Sequence, residues 1–465
     1  MLSYNQWLGK GGGDTDLYHA QIVRWYNEYG TVAGLGNLHN RFGYNSSWLV
    51  LAAVADNWLW DARSAWLLPA LYLLGGGAYF MYELLFAKRK GIFFYSAVIW
   101  GWLVLIFLYL APSLYYDNPP HFLNAILLLE AYYLLTDSRK TFVKADVDNL
   151  ALLLMLSVGV FMLKLTGFIT LVMVGLLSVY VLVKMQKQLL CDWLKIFIVP
   201  SAAILVWLAR NILVTGYLVY PYPNPVLALP LDWTMALDYV RADYEGIWTW
   251  SRIFGMDAWM ARAYGFSFWF PLWLQNVFSS VPYVFAFAAG LVGAVLWVVN
   301  ICRSYYKIQF YFLTWTLISI WYWFISAPDM RYGGGFLGVF LAAACLFLFP
   351  NEKTDNFGLQ LDFEIFWQNP IWRKSLQSLL ALIVAGGSVF CFLYPSRDLF
   401  IVASLPSRPV KEYLVKAKIP FKVWVSADGD LRVGNAPLPS AENPPTNLEM
   451  REPGNLAKGF RSVKR

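Results

Sequence analysis

Two carboxylates near the ends of long apolar stretches are the residues of this sequence best suited to acid–base chemistry. Asp14 opens the segment Asp14-Thr15-Asp16-Leu17-Tyr18-His19, and Asp117 precedes Asn118-Pro119-Pro120. A positioned carboxylate can take a proton from a hydroxyl nucleophile, and two carboxylates can divide the work between a base and an orienting group. Both also have a structural alternative, because Asp is a favoured helix N-cap and proline suits the first helical turn.

Three cationic positions lie near the ends of other apolar stretches. Lys164 separates two apolar runs, Arg210 lies near the end of a third, and Arg331-Tyr332 follows Asp329. Ammonium and guanidinium groups bind phosphate, and a charge in a membrane segment is costly unless it is paired or hydrated. The structural alternatives are a lysine extended to the membrane surface, an arginine at a helix C-terminus, and a simple Asp329–Arg331 ion pair.

The composition is that of a membrane protein. Hydrophobic residues make up 59% of the 465 residues and charged residues 14%, with a mean hydropathy of +0.49, whereas soluble chains carry about 25% charged residues. A disordered chain, a collagen, a disulfide scaffold and an ordinary soluble enzyme are therefore excluded. The net charge of +7 comes mainly from short loops and not from a basic stripe, so nucleic acid is not a predicted partner. The four cysteines and three histidines have no metal-ligand spacing, so no metal ligands are predicted.

The predicted fold class is an all-α polytopic membrane protein. A helix needs about 17–25 mostly apolar residues to cross about 30 Å of hydrocarbon. About ten such stretches are present, near residues 64–86, 93–111, 121–136, 147–163, 165–183, 196–213, 281–301, 308–326, 334–349 and 376–394.

Short basic loops set the predicted orientation. Clusters of Lys and Arg follow every second span, which predicts that these loops are cytoplasmic and that both termini lie outside. An N-terminus on the outside needs a preceding helix to cross the membrane, so we expect further N-terminal helices in the natural protein. The predicted regions are an extracytoplasmic first loop with amphipathic helices at 1–63, a transmembrane bundle at 64–394 with an outer loop at 214–280, and an extracytoplasmic C-terminal region at 395–465.

The C-terminal region differs from the rest of the chain. It is rich in proline, and the apolar segments Val423-Trp424-Val425 and Leu431-Arg432-Val433 flank Asp428-Gly429. An Asp-Gly pair between two such segments is typical of a β-hairpin. We predict a small mixed α/β cap here.

Several of these motifs, taken in order, resemble the GT-C superfamily of membrane glycosyltransferases. The matching stretches are Asp14, Asp117-Asn118-Pro119, Lys164-Leu165-Thr166-Gly167 and Arg331-Tyr332. More closely, nearly the whole chain resembles an uncharacterised bacterial group of multi-pass proteins, described as a domain of unknown function. Its hallmark stretches resemble Asp14 to His19, Gly34 to His39, Asn45-Ser46-Ser47-Trp48, Arg210-Asn211, Gly216-Tyr217, Asp232-Trp233 and Ala327 to Arg331. The chain departs from that group at Asp16, where glycine is expected, and in lacking helices before the first outer segment.

The resemblance implies a reaction and a location. A sugar would move from a polyprenyl-phosphate donor to a glycan, lipid or protein acceptor on the extracytoplasmic face of a bacterial inner membrane, within surrounding membrane lipids. Asp14 or Asp117 would act as the catalytic base, and Lys164, Arg210, Arg331, Tyr332 and His19 would bind substrate or phosphate. No cofactor is predicted with certainty, although paired carboxylates are compatible with a divalent cation.

Three questions stay open at this level. The same cations suit a transporter or flippase of lipid-linked glycans, although the chain has no visible internal repeat. A surface-polysaccharide polymerase or ligase would use the same donors. Tryptophans in 244–274 can line a lipid route, stack on sugar, or form an interfacial aromatic belt; they are Trp248, Trp250, Trp259, Trp269 and Trp273.

Overall fold

A computed structural model gives the fold of most of the chain. It describes residues 14–56, 64–86, 90–110, 118–136, 142–185, 190–257, 259–279, 307–348 and 408–463, with individual residues in 284–298 and 369–382. The described residues are mostly helical, with a small β region near the C-terminus, as the sequence predicts. The helices of 13 residues or more are Ser64–Phe86, Lys90–Leu110, Asn118–Thr136, Lys144–Leu163, Phe168–Lys184, Leu190–Thr215, Leu237–Trp250, Phe266–Phe278, Lys307–Ser326 and Met330–Leu348.

Three helices within the described ranges are long and apolar enough to cross a membrane. They are Ala145–Leu163, Leu165–Lys184 and Cys191–Thr215, which correspond to three of the predicted spans. The predicted count of ten is not supported, since three described helices meet both criteria; the shorter apolar stretches Gly91–Trp102, Phe310–Ser326 and Gly335–Ala344 lie within further helices. The predicted spans at 281–301 and 376–394 lie largely outside the described residues.

The chain divides into two compact units. The first unit comprises Met1–Leu68, Ser201–Trp273 and Ile401–Arg465, and the second comprises Pro69–Pro200 and Leu274–Phe400. These units group segments that are distant in sequence, whereas the predicted regions are consecutive. The membrane disposition of those predicted regions stays a prediction.

The second unit is built around closely packed helices. Met330–Leu348 packs against Lys90–Leu110, and a Cβ atom added at Gly338 would lie 1.9 Å from the Trp102 ring. Likewise, a Cβ added at Gly335 would lie 2.8 Å from the Cα atom of His121. Glycine at these positions therefore allows the helix axes to approach, as small residues do in membrane bundles.

In the first unit, the C-terminal residues pack onto the N-terminal helices. Arg408 pairs with the buried carboxylate of Asp16 at 2.8 Å. The Gln21 amide donates to the carbonyl oxygen of Gly434 at 2.6 Å and also to that of Ala436. Position 16, where the resemblance leads us to expect glycine, is thus an aspartate that forms an ion pair with Arg408.

The β region consists of two antiparallel pairs of short strands. Val410–Val415 pairs with Phe421–Ser426, and Leu448–Met450 pairs with Phe460–Ser462. The hairpin predicted around Asp428-Gly429 is wrong, because the strand containing Val423 to Val425 pairs with the segment before it. Instead, Asp428 accepts hydrogen bonds from the Ser426 hydroxyl and from the main-chain N–H of Asp430, which closes a local turn.

Candidate functional site

Lys164 occupies a sharp turn between two candidate membrane spans. The helix Lys144–Leu163 ends where Lys164 adopts an extended backbone, and a short 3-10 turn, Leu165–Gly167, leads into the next helix. A Cβ at Gly167 would lie 2.8 Å from the main-chain nitrogen of Phe161. Position 167 therefore needs glycine, because the main chain of the preceding helix passes too close for a larger residue. This close packing also fixes the position of the Lys164 main chain.

The side chain of Lys164 is directed toward the start of a distant helix. Its Nζ atom donates a 2.7 Å hydrogen bond to the main-chain carbonyl of Arg331 and lies 4.4 Å from the centroid of the Tyr332 ring. Only 9% of the residue is exposed, so it does not extend along an open surface. The structure thus brings together three of the predicted binding residues: Lys164, Arg331 and Tyr332.

Arg331 has an acidic neighbour of its own. The Asp329 carboxylate accepts a 2.8 Å hydrogen bond from the Arg331 main-chain N–H and lies 3.2 Å from its Nε atom. The Trp323 indole in turn donates to the main-chain carbonyl of Asp329. The Asp329–Arg331 ion pair, the structural alternative for these two residues, is present, and the arginine charge is partly compensated.

A histidine that the sequence did not single out lies beside this cluster. The main-chain N–H of Gly335 donates to His121 Nδ1 at 2.9 Å, which assigns the ring proton to Nε2. His121 is 3% exposed, its Nε2 atom has no hydrogen-bond partner within the described part of the chain, and the charge of Lys164 acts on its ring. A buried donor of this kind is costly unless a ligand or water accepts from it. Asp117, four residues earlier, lies outside the described residues.

Asp14 lies in the first unit, where its charge acts on Arg41. The Arg41 guanidinium stands over the rings of Tyr18, at 5.7 Å, and Trp250, at 5.5 Å. Burial acts to lower the pKa of Arg41, but the acidic groups around it, Tyr44 and Asp14 foremost, leave that pKa above its ordinary value. Asp14 therefore interacts electrostatically with Arg41, at the start of the first described helical segment.

A buried carboxylate, Asp243, also acts on Arg41. Its Oδ1 atom accepts from the Asn40 amide at 2.8 Å and the Tyr44 hydroxyl at 3.0 Å, and its Oδ2 atom accepts from the Tyr220 hydroxyl at 2.9 Å. Burial raises the pKa of Asp243, although the hydrogen bonds from Tyr220 and Tyr44 oppose that rise. Burial and the Asp243 charge together raise the pKa of Tyr220 well above its usual value.

His39 and Glu442 form a further pair within the first unit. The main-chain N–H of Arg41 donates to His39 Nδ1 at 3.2 Å, and His39 Nε2 lies 3.2 Å from the Glu442 carboxylate. A neutral His39 therefore carries its proton on Nε2 and donates it to Glu442. Sequence reasoning missed Glu442 because nothing in the C-terminal region indicated that it contacts the segment around His39.

The remaining predicted residues, His19 and Arg210, also lie in the first unit. His19 is buried, with its ring centroid 4.2 Å from that of Tyr18. The Arg210 guanidinium donates to the Asn45 side-chain oxygen and stands 5.6 Å from the centroid of the Tyr26 ring. Arg210 is thus held by the N-terminal segment that contains Tyr26 and Asn45, and its Nη2 atom has no hydrogen-bond partner within the described ranges.

The predicted site residues therefore fall into two groups. Lys164, Arg331 and Tyr332 meet in the second unit, and Asp14, His19 and Arg210 belong to the first. Their convergence on one cavity stays a prediction. Within the described residues, no group of three or more His, Cys, Asp and Glu side chains is arranged to hold a metal ion.

Comparison with known proteins adds a family. A family model described as a domain of unknown function, DUF8201, matches residues 11–338. The chain belongs to this family. The match includes every predicted site residue from Asp14 to Tyr332 and ends before the β region. No curated protein and no solved structure matches the chain.

Proposed function

We propose that the protein is a membrane glycosyltransferase of the GT-C type. It would move a sugar from a polyprenyl-phosphate-linked donor to an extracytoplasmic glycan, lipid or protein acceptor. The observation that carries the proposal is the buried Nε2–H of His121 beside the ammonium of Lys164; among the residues that the structure describes, this N–H has no hydrogen-bond partner. A cation and a neutral donor in a poorly hydrated site suit an anion whose charge grows during the reaction.

The donor phosphate accounts for both groups. When the acceptor oxygen bonds to the anomeric carbon, the carbon–oxygen bond to phosphate breaks and the phosphate leaves with the electron pair. Lys164 and His121 would stabilise that departing charge, and Arg331, already paired with Asp329, would orient the phosphate. A phosphate leaving group is a weak base, so this end of the reaction needs cations and not a general acid.

The acceptor hydroxyl needs a base, since it is a poor nucleophile. In this proposal Asp14 takes the proton as the new bond forms. Arg41 is close enough for its charge to interact with Asp14, and it would hold the carboxylate in place. Asp117 is the alternative base; if Asp14 is the base, Asp117 would act as the orienting group.

The proposal includes the predicted topology of about ten spans, with the Lys164 turn outside. Supporting it, the candidate spans Ala145–Leu163 and Leu165–Lys184 follow one another directly, so their shared turn lies at one membrane face. Cysteine substitutions at Asn118 and Lys140 test the orientation with a membrane-impermeant thiol reagent on intact cells. Labelling at 118 and not at 140 is expected, and the reverse pattern contradicts the topology.

The activity itself can be tested in membranes that contain the overproduced protein. Radiolabelled polyprenyl-phosphate sugars from a lipid extract are supplied, and transfer of label to a new acceptor is measured together with release of unlabelled polyprenyl phosphate. A transferase gives both products in equal amounts. Movement of the intact labelled lipid across the bilayer without transfer would identify a flippase and overturn the proposal.

A further inference from the structure

The last turns of the helix Leu190–Thr215 have one buried face. Trp207 and Asn211 are almost fully buried, whereas Val206 is 69% exposed. Residues three and four positions apart lie on the same side of a helix. Arg210, three positions after Trp207, therefore lies on the buried face beside Asn211.

Arg210 has polar and aromatic neighbours but no acidic one. Its Nε atom donates to the side-chain oxygen of Asn45, and its guanidinium stands 5.6 Å from the centroid of the Tyr26 ring. Among the described residues, no carboxylate pairs with Arg210, and the one ionisable group that acts on its charge is Tyr26, a phenol that is neutral at neutral pH. An arginine stays charged at that pH, and a charge in a candidate membrane span is costly unless it is paired or hydrated. An anion would therefore stabilise this position.

The amide of Asn211 is a second, independent sign of a ligand. The residue has no exposed surface, and neither its Nδ2 nor its Oδ1 atom has a hydrogen-bond partner in the described part of the chain. The Nη2 atom of Arg210 is also buried and lacks a partner there. Buried polar groups are nearly always hydrogen-bonded, because an unsatisfied one is costly. Water could satisfy the amide, but it cannot neutralise the arginine.

The chemistry of these groups defines the class of ligand. Within the described chain no second cation acts on Arg210, so the site matches a single negative charge. The paired terminal N–H groups of a guanidinium match the two oxygens of a carboxylate. A side-chain amide both donates and accepts hydrogen bonds, so Asn211 matches a hydroxyl group. A phosphate monoester would bring nearly two negative charges to one cation.

We propose that Arg210 and Asn211 bind the carboxylate and an adjoining hydroxyl group of a hydroxy acid, such as a uronic acid unit of an acidic glycan. Arg210 holds the carboxylate through its terminal N–H groups, while Asn45 and the Tyr26 ring hold the guanidinium in place. The arginine is only partly buried, so a ligand can reach it. This role differs from the phosphate binding that the resemblance implies, and it does not depend on glycosyl transfer.

The test measures ligand binding to the full-length protein in detergent by isothermal titration calorimetry. Three probes are compared: methyl glucuronide, methyl glucoside, which lacks the carboxylate, and dimethyl phosphate, a phosphodiester of the same charge. We expect the wild type to bind methyl glucuronide at least about tenfold more tightly than the other two probes. Undetectable binding of the glucuronide, or equal binding of the glucoside, overturns the proposal. Tighter binding of dimethyl phosphate contradicts the assignment to a carboxylate.

Arg210→Gln removes the charge that the proposal requires. Its affinity for methyl glucuronide should fall by at least about tenfold, because a charge-assisted hydrogen bond is lost. Arg241→Gln is the matched control, since Arg241 is a 48% exposed arginine of the first unit that lies 3.7 Å from Asp238. The control should bind the glucuronide as the wild type does. Wild-type affinity in Arg210→Gln would contradict the proposal.

Asn211→Leu distinguishes a ligand-binding amide from a structural one. Leucine is of similar size and removes both unsatisfied atoms, so the variant without ligand should melt at or above the wild-type temperature. Its affinity for methyl glucuronide should nevertheless fall by about tenfold. A lower melting temperature without ligand would show that the amide has partners within the protein, and wild-type affinity would show that it does not contact the ligand. Either result contradicts the proposal.

Discussion

The ammonium of Lys164 and the main-chain carbonyl of Arg331 are joined by a 2.7 Å hydrogen bond across 167 positions of sequence. This hydrogen bond places the Lys-Leu-Thr-Gly turn next to the Arg-Tyr motif. From the sequence, the two segments could be linked only through the resemblance to GT-C glycosyltransferases. His121, whose Nδ1 is fixed by Gly335, adds a buried donor beside them. The proposed phosphate site rests on these three residues.

Asp14→Asn distinguishes a base from a cap. Asparagine caps a helix about as well as aspartate, but it cannot take a proton. We therefore expect a folded protein whose transfer rate falls by at least about 10²-fold, as loss of a general base typically does. The rate is measured with the radiolabelled donor, and Asp238→Asn, at an exposed position, is the control. Full activity in Asp14→Asn would remove Asp14 from the chemistry.

Asp243→Asn should change how stability depends on pH. Because burial raises the pKa of Asp243 above that of the unfolded chain, the folded protein binds this proton more tightly. The wild type should therefore gain stability relative to the variant as the pH falls from neutrality toward that raised pKa, and lose it as the pH rises. Melting temperatures of both proteins across this range give the difference. If the wild type instead loses stability relative to the variant as the pH falls, the pKa of Asp243 is lowered in the folded protein, which would contradict the prediction.

Gly338→Ala should disturb the helix packing of the second unit. The new methyl group would lie 1.9 Å from the Trp102 ring, so the helices Met330–Leu348 and Lys90–Leu110 must separate or the ring must move. Overpacking of this kind costs about 1–3 kcal/mol. Gly159→Ala is the matched control, because nothing lies within 4 Å of its added Cβ. Thermal unfolding in detergent should show a lower melting temperature for Gly338→Ala alone; equal values would contradict the packing described.

Arg408→Gln should weaken the packing of the C-terminal residues on the N-terminal segment that contains Asp16. Asp16 is almost fully buried, so removal of its arginine leaves a carboxylate without its partner, at a cost of about 3–5 kcal/mol. Limited proteolysis should release the C-terminal segment faster than in the wild type. Lys422→Gln breaks an exposed pair with Glu412, worth at most about 1 kcal/mol. Lys422→Gln is the control and should be cleaved at the wild-type rate. If Arg408→Gln is also cleaved at that rate, the Asp16–Arg408 pair does not hold the C-terminal segment in place.

The sequence predicted the local features of the fold better than its long-range contacts. The turn at Lys164 was predictable, because two apolar runs and a glycine define it without reference to other segments. The Asp243 cluster was not, since its donors come from residues 40, 44 and 220, and nothing in their spacing relates them. His121 was overlooked although it directly follows Pro119-Pro120, because a lone histidine carries no motif.

One prediction went wrong because two segments compete for the same strand. The Asp428-Gly429 pair forms a turn, but the strand before it finds its partner in Val410–Val415, so turn chemistry did not decide the pairing. The count of ten spans is not supported, since three of the described helices are long and apolar enough to cross a membrane.

Lys164→Met tests the central claim most directly. Methionine keeps much of the side-chain volume and removes the ammonium, so the protein should fold and reach the membrane as the wild type does. Transfer from the radiolabelled polyprenyl-phosphate donor should fall by about 10²–10³-fold. Lys195→Met is the matched control, since that lysine is half exposed and pairs with Asp148, and its transfer rate should stay unchanged. A Lys164→Met protein that transfers sugar at the wild-type rate would show that the lysine does not bind the leaving phosphate, and the account would fail.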